Sequence, residues 1–196
     1  MEQNITFVIG GCRSGKSSFA LNQANNIQAG KEKEKIKIFI ATSVPRDLEM
    51  ENRVKKHQNE RGNDWHTIEE PVNIHEAIDQ YSKKASVILV DCLTLWVSNL
   101  LFDSFQKIED GEMKNGSNKN AQVQIDKAVT LLENSLESCQ CPVFLVSNEV
   151  GTGIVPENEI ARQFRDFAGF INQRMAKIAD TVVMTIAGID VQIKPA

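Results

Sequence analysis

The stretch "ITFVIGGCRSGKSSFA", residues 5–20, constrains this chain more than any other. A β-prone apolar run ends in two glycines, and a helical pattern begins a few residues later. Gly10 to Ser17 reads G-G-C-R-S-G-K-S, which fits G-x-x-x-x-G-K-[ST]. The residue types have a chemical reason. Gly10, Gly11 and Gly15 let the backbone turn so that successive N–H groups converge on phosphate oxygens. The helix that follows contributes the positive end of its dipole. Lys16 is placed to reach β and γ phosphates, and the Ser17 hydroxyl to ligate Mg²⁺. A glycine-rich turn with a chance Lys-Ser fits less well, because strand, loop and helix occur in order. The motif predicts a bound nucleoside triphosphate and does not select the reaction.

The rest of the chain alternates in the same manner. "IKIFIATS", "SVILVD" and "PVFLVS" read as strands. "SSFALNQANNIQAG" reads as a helix ending at Gly30. "PRDLEMENRVKKHQNERG" reads as a helix with Pro45 near its start and Gly62 after its end. "PVNIHEAIDQYSKK", "CLTLWVSNLLF" and "AQVQIDKAVTLLENSLESC" also have helical patterns. The clearest helix is "ENEIARQFRDFAGFINQRMAKIAD", with Ile160, Phe164, Phe167, Ile171, Met175 and Ile178 at helical spacing. "TVVMTIAGIDVQIK" reads as a hairpin. Residues 103–120, rich in Gly and Asn, read as a flexible polar loop or ragged helix end. The pattern predicts an α/β fold, a largely parallel sheet covered on both faces by helices, with a C-terminal antiparallel hairpin. Ligands of such sheets bind at the carboxyl ends of the strands.

Composition excludes several classes. The 196 residues fit a single domain, residues 1–196, and 41% hydrophobic residues suffice for a core. A net charge of −4 gives no basic excess for nucleic acid. The opening "MEQNITFVIGG" has no export signature, and no apolar run is long enough to span a bilayer, so a cytoplasmic protein without membrane insertion is expected. Cys12, Cys92, Cys139 and Cys141 complete no zinc set and imply no disulfide framework.

Two further residues carry chemistry. Asp91 ends an apolar strand, where a carboxylate holds Mg²⁺ beside a phosphate loop or caps the next helix, and the two roles can coexist. His57 lies in "NRVKKHQNER" among Arg53, Lys55, Lys56 and Arg61. A neutral imidazole is a nucleophile near neutral pH, able to attack an α-phosphate while neighbouring cations offset developing charge. A half-buried helix histidine, or a neighbouring lysine as the nucleophile, fits the same letters. His66 reads as surface or packing, and His75 as solvated. Asn148 and Glu149 stand at a strand end before a glycine-rich loop, where Glu149 faces the ligand crevice. Arg162, Arg165 and Asp166 read mostly as a solvated helix face.

"GGCRSGKS", "IATS", "NRVKKHQNERGNDWHTIEEP", "VDCLTLWVSNLLF" and "SNEVGTGIVPENEIARQFRDFAGFINQRMA" occur in that order. Together they resemble the bifunctional adenosylcobinamide kinase / adenosylcobinamide-phosphate guanylyltransferase family of cobalamin assembly. The resemblance implies a P-loop NTPase with a RecA-like sheet. It implies phosphorylation of the aminopropanol hydroxyl of adenosylcobinamide with ATP or GTP, then transfer of GMP from GTP to that phosphate. It puts His57 at the position of the guanylylated histidine. Nucleotide contacts fall on Gly10, Gly11, Cys12, Arg13, Ser14, Gly15, Lys16 and Ser17, on Thr42, Ser43 and Val44, on Gln58, Asn59, Glu60 and Arg61, and on Glu69 and Asp91. It also implies a homotrimer with an active site shared between subunits. Lys56 stands where some relatives have a second histidine, and Asp91 where some have glutamate. The "NEVGTGIVPEN" loop is assigned to corrinoid binding or to the subunit interface. The alternatives are a single-step P-loop kinase, in which His57 is structural, and a nucleotide-binding regulator, which would need an interaction segment that the sequence does not show.

Overall fold

The computed structural model describes residues 4–27, 35–44, 61–62, 64–109 and 117–195. In chain order the elements are β1 (Ile5–Gly10), α1 (Lys16–Asn25), β2 (Ile36–Ala41), β3 (Trp65–Glu69), α2 (Ile74–Tyr81), β4 (Ala85–Asp91), α3 (Leu93–Glu109), α4 (Ser117–Ser138), β5 (Val143–Asn148), α5 (Glu159–Ile178), β6 (Thr181–Ile186) and β7 (Ile189–Lys194). Seven strands form one sheet in the order β3-β2-β4-β5-β1-β6-β7. Every pairing is parallel except the last, where β6 and β7 form the expected antiparallel hairpin.

The strands read as continuous apolar runs because both faces of the sheet are covered. Alternate residues go to opposite sides. Ile5, Phe7, Ile38, Ile40, Ile88, Val90, Val143 and Leu145 pack into the core shared with α2, α3, α4 and α5. Val8, Phe39, Val87, Leu89, Phe144 and Val146 pack into a second core with Ala20 and Ala24 of α1. Helix α5 shows how the sequence sets its own ends. Asn158 caps it by accepting from the Ala161 amide at 3.0 Å, Glu159 lies in its first turn and Lys177 in its last. It buries Phe167, Ala168, Ile171 and Met175, whereas Ile160 at its start is exposed.

Three expectations need correction. "WHTIE" is a strand, β3, which the sequence pattern had not marked. It lies at the sheet edge against β2 alone, so only Trp65 is fully buried and the run lacks the unbroken apolar character of the inner strands. Residues 103–109 and 117–120, read as part of a flexible loop or ragged helix end, are helical, and residues 110–116 lie outside the described residues. Helix α3 continues to Glu109 and α4 begins at Ser117, in keeping with the helix-forming Gln106, Lys107 and Glu109. Helix α1 ends at Asn25 with Asn26 as its cap, short of Gly30, which lies outside the described residues. The helix read over residues 45–61 lies outside them too, except for Arg61; Gly62 behind it has φ +74°. Among the described residues no helix is long and apolar enough to cross a membrane.

Ile88 is fully buried in the central strand β4. Replacing it with alanine is expected to cost about 2–5 kcal/mol, read as a lower urea midpoint at unchanged m-value.

Candidate nucleotide site

The carboxyl edge of the sheet gathers the predicted residues. Strand register sets Glu69 beside Ala41 and Ala41 beside Asp91. On the other side of β5 it sets Asn148 beside Gly10 and Gly10 beside Thr185. Strand β5 separates the phosphate-loop strand from the Asp91 strand.

The loop after β1 is held from below and from the side. A Cβ on Gly10 would fall 2.5 Å from the Thr185 carbonyl oxygen, the Thr185 hydroxyl and the Ser14 hydroxyl. Only glycine permits that approach. The Ser14 and Thr185 hydroxyls bond at 2.7 Å in a buried contact. At the hairpin turn, the Gly188 amide donates to the Ser14 carbonyl at 2.9 Å. Gly15 takes φ +99° at the N-cap of α1 and offers no side-chain cap, so the first-turn amides keep their anion-binding capacity. Lys16 is buried and folds back, its Nζ donating to the Gly11 carbonyl at 3.1 Å. Ser17 follows it in the first turn of α1, half-buried.

Opposite the loop, Asp91 is half-buried at the end of β4. Its charge is felt by two neighbours. The buried Cys92 thiol is pushed up to about 11, first by burial and then by the Asp91 carboxylate, while Lys16 acts weakly the other way. The Arg61 guanidinium is lowered by burial, and Asp91 opposes that shift. Arg61 also lies 3.6 Å above the centre of the Phe39 ring, a cation–π contact that fixes its plane. Asp91 thus acts on both Arg61 and Cys92, and Lys16 on Cys92 as well, which brings the three charged residues to one region of the edge.

Thr42 is fully buried and works as a fastener. Its hydroxyl donates to the Cys92 carbonyl at 2.8 Å and accepts from the Cys92 amide at 2.8 Å. Asn99 Nδ2 donates to the Thr42 carbonyl at 2.8 Å. Ser43 and Val44 lead outward from it, and Glu69 is exposed at the end of β3. Cys12 and Arg13 are exposed on the loop, with Arg13 at φ +54°. His57, Gln58, Asn59 and Glu60 lie outside the described residues.

Sequence reasoning missed the polar layer beneath the edge. Ser147 donates to Asn172 Oδ1 at 2.7 Å, Asn172 Nδ2 donates to the Asn148 carbonyl at 3.1 Å, and the Asn148 amide donates to the Thr94 hydroxyl at 2.7 Å. These bonds tie α3, β5 and α5 together under the site. One signal was legible: Asn172 sits within the apolar stripe of α5, beside Ala168, Ile171 and Met175, where a buried amide requires partners. Arg162 and Arg165 are not a solvated face. Arg162 donates to the Pro156 carbonyl at 3.0 Å and Arg165 to the Gly151 carbonyl, so both fasten the loop after β5. His75 is mostly buried, its side chain 16% exposed, rather than solvated; His66 is exposed and tilts against Tyr81.

A parallel sheet with a glycine loop between β1 and an uncapped helix, an invading lysine and a strand-end aspartate two strands away is a P-loop NTPase fold. The chain belongs to the family described as cobinamide kinase / cobinamide phosphate guanyltransferase, whose family model it matches over residues 6–193. It is 37% identical over 190 residues to the bifunctional adenosylcobalamin biosynthesis protein CobU of Escherichia coli (strain K12), covering 95% of this chain and 98% of that protein. The CobU protein of Salmonella typhimurium is matched to the same extent. The bifunctional adenosylcobalamin biosynthesis protein CobP of Pseudomonas aeruginosa is 34% identical over 187 residues, 95% of each chain.

Gly10→Ala is expected to force the loop off β6. Unfolding stability should fall by about 1–3 kcal/mol, as for other overpacked sites. Gly11, where an added Cβ meets nothing within 4 Å, is the control, and Gly11→Ala should stay within about 0.5 kcal/mol by the same denaturation.

Proposed function

We propose that this protein is a two-step transferase that phosphorylates adenosylcobinamide and then guanylylates the product. The observation that carries the reading is the family match over residues 6–193 on a chain whose phosphate loop is built and braced. In the first step the acceptor hydroxyl oxygen attacks the γ-phosphorus of ATP or GTP, and the nucleoside diphosphate leaves. In the second, the His57 imidazole attacks the α-phosphorus of GTP and expels pyrophosphate. A phosphate oxygen of adenosylcobinamide phosphate then displaces the histidine, giving adenosylcobinamide-GDP.

The loop residues Gly10 to Ser17 hold the triphosphate, with Lys16 on its β and γ oxygens. Ser17 and Asp91 are hard oxygen donors of the kind Mg²⁺ prefers. Mg²⁺ of this kind is bound through one or two protein ligands together with substrate phosphates. When bound, Mg²⁺ would neutralise charge on the phosphates. Arg61, fixed on Phe39 beside Asp91, offers a second fixed charge, with Gln58, Asn59, Glu60, Glu69, Ser43 and Val44 as further nucleotide contacts and Thr42 holding the end of β2 just before Ser43 and Val44. The chain acts as one nucleotide-binding unit in the cytoplasm.

The assembled form is a homotrimer in this reading. Support comes from β7, an edge strand whose Ile189, Val191 and Ile193 are all exposed. Light scattering should give the mass of three chains, and Val191→Lys should shift it toward the single chain.

Incubation with α-labelled GTP and Mg²⁺ should leave a covalent label on the protein. His57→Ala and His57→Asn should abolish it. Labelling that persists in both variants would remove His57 from the mechanism, and no labelling of the unaltered protein would leave the single-step kinase.

A further inference from the structure

Phosphoryl transfer to an alcohol needs a group to accept the hydroxyl proton, and nothing so far supplies one. A cavity of about 320 Å³ borders the phosphate loop on the hairpin side. The loop residues Gly11 to Ser14 form one wall, Met184 to Ala187 of β6 and its turn form another, and Glu149 and Thr152 close it. It lies at the small end of the range for ligand pockets, roughly 300–1,000 Å³. A whole corrinoid does not fit such a space, whereas a short hydroxyl-bearing arm does. Met184, Ile186 and Ala187 offer apolar contact to the carbons of an arm, and Thr152 and Arg13 offer polar contact at the mouth.

Among the described residues, Glu149 is the one carboxylate lining this cavity. Its position is fixed at both ends of the residue. The Glu149 amide donates to the Gly10 carbonyl at 2.9 Å, which anchors it to the first residue of the phosphate loop. Its Oε1 accepts from the Gly151 amide at 2.5 Å. A Cβ on Gly151 would fall 2.7 Å from Oε1, so a larger residue there would move the Glu149 carboxylate. Arg165 in turn holds the Gly151 carbonyl, so the wall carrying Thr152 is tied to α5. With Oε1 occupied, Oε2 is the oxygen left to meet an incoming hydroxyl.

We propose that this cavity receives the hydroxyl-bearing arm of the acceptor and that Glu149 is the general base of the phosphorylation step. The proposal rests on the kinase reading above. The acceptor O–H bond breaks and its proton passes to the Glu149 carboxylate. The oxygen bonds to the γ-phosphorus as the bond from that phosphorus to the β–γ bridging oxygen breaks. The electron pair leaves with the nucleoside diphosphate, and the protonated carboxyl returns its proton to water. Asp91 is spared this role, because the same side chain cannot both hold a cation and take up a proton efficiently.

The test uses the full-length protein with adenosylcobinamide and ATP. Glu149→Gln keeps the size of the side chain and its acceptor oxygen for Gly151 but removes the base. Phosphorylation kcat is expected to fall by about 100-fold or more, the usual share of a general base. Covalent labelling by α-labelled GTP, which involves no acceptor, should fall by less than fivefold. Thr152→Phe narrows the cavity and should raise KM for adenosylcobinamide without raising KM for ATP. Near-unaltered phosphorylation by Glu149→Gln overturns the proposal. So does an equal loss of phosphorylation and labelling, which would mark Glu149 as support for the loop. A Thr152→Phe effect on ATP alone would assign the cavity to the nucleobase and overturn it as well. If the unaltered protein phosphorylates no adenosylcobinamide, the kinase reading itself fails, a result distinct from all of these.

Discussion

The contact between Gly10 and Thr185 sets the rest of this molecule. Three oxygen atoms stand 2.5 Å from where a Cβ on Gly10 would be, so the end of β1 is pressed onto the end of β6 as no other residue would allow. The Ser14–Thr185 hydroxyl pair and the Gly188–Ser14 backbone bond extend that contact over the loop. A phosphate cradle works by presenting amides that do not reorganise when the anion arrives. Here the rigidity comes from the C-terminal hairpin, which is remote in sequence and adjacent in space. The hairpin is therefore part of the nucleotide site as well as the closing edge of the sheet.

The other side of the edge is organised by charge. Asp91 lies on β4 with Arg61 and Lys16 acting around it, and the Cys92 thiol between them is held neutral by burial and by the carboxylate. Asp91 thus acts on two groups near it, opposing the lowering of the Arg61 guanidinium and helping to raise the Cys92 thiol. Thr42 and Asn99 lock the backbone on which it is carried. The buried Thr94–Asn148–Asn172–Ser147 layer does the same for β5. Helix α3 serves both strand ends, through Asn99 and Thr94, and α5 adds Asn172 at the second.

Legibility in the sequence followed from how local each constraint is. "IKIFIA" and "SVILVD" were readable because both of their faces are buried, and a run of apolar residues admits few other structures. The phosphate loop was readable because its glycines answer to backbone geometry within a few residues. "WHTIE" was not, since an edge strand buries one face in part and its stabilising partner is β2. The continuation of α3 to Glu109 was signalled by Phe105 and Ile108, which extend the helical spacing of Leu101, but was overlooked beside the polar, glycine-bearing residues that follow. Lys16 and Asp91 were legible as residues of the sheet's carboxyl edge from motif and strand end. The Thr185 brace was not, because its partner Ser14 is 171 residues away. Thr42 came from family resemblance as a nucleotide contact, yet its hydroxyl turns inward to Cys92, a role that depends on the β2–β4 register.

The two chemical steps make different demands on one loop. A γ-phosphoryl transfer needs the terminal phosphate to face its acceptor, and a nucleotidyl transfer needs the α-phosphate to face its own. A loop of backbone amides binds a chain of phosphates without distinguishing these purposes, so the distinction has to come from what flanks it. On the β4 side stand Asp91 and Arg61, the latter at the end of the segment that carries His57. On the β6 side stands a cavity with Glu149 as its carboxylate. Placing the phosphate strand inside the sheet, with β5 and β4 on one hand and β6 and β7 on the other, gives the loop two flanks rather than one.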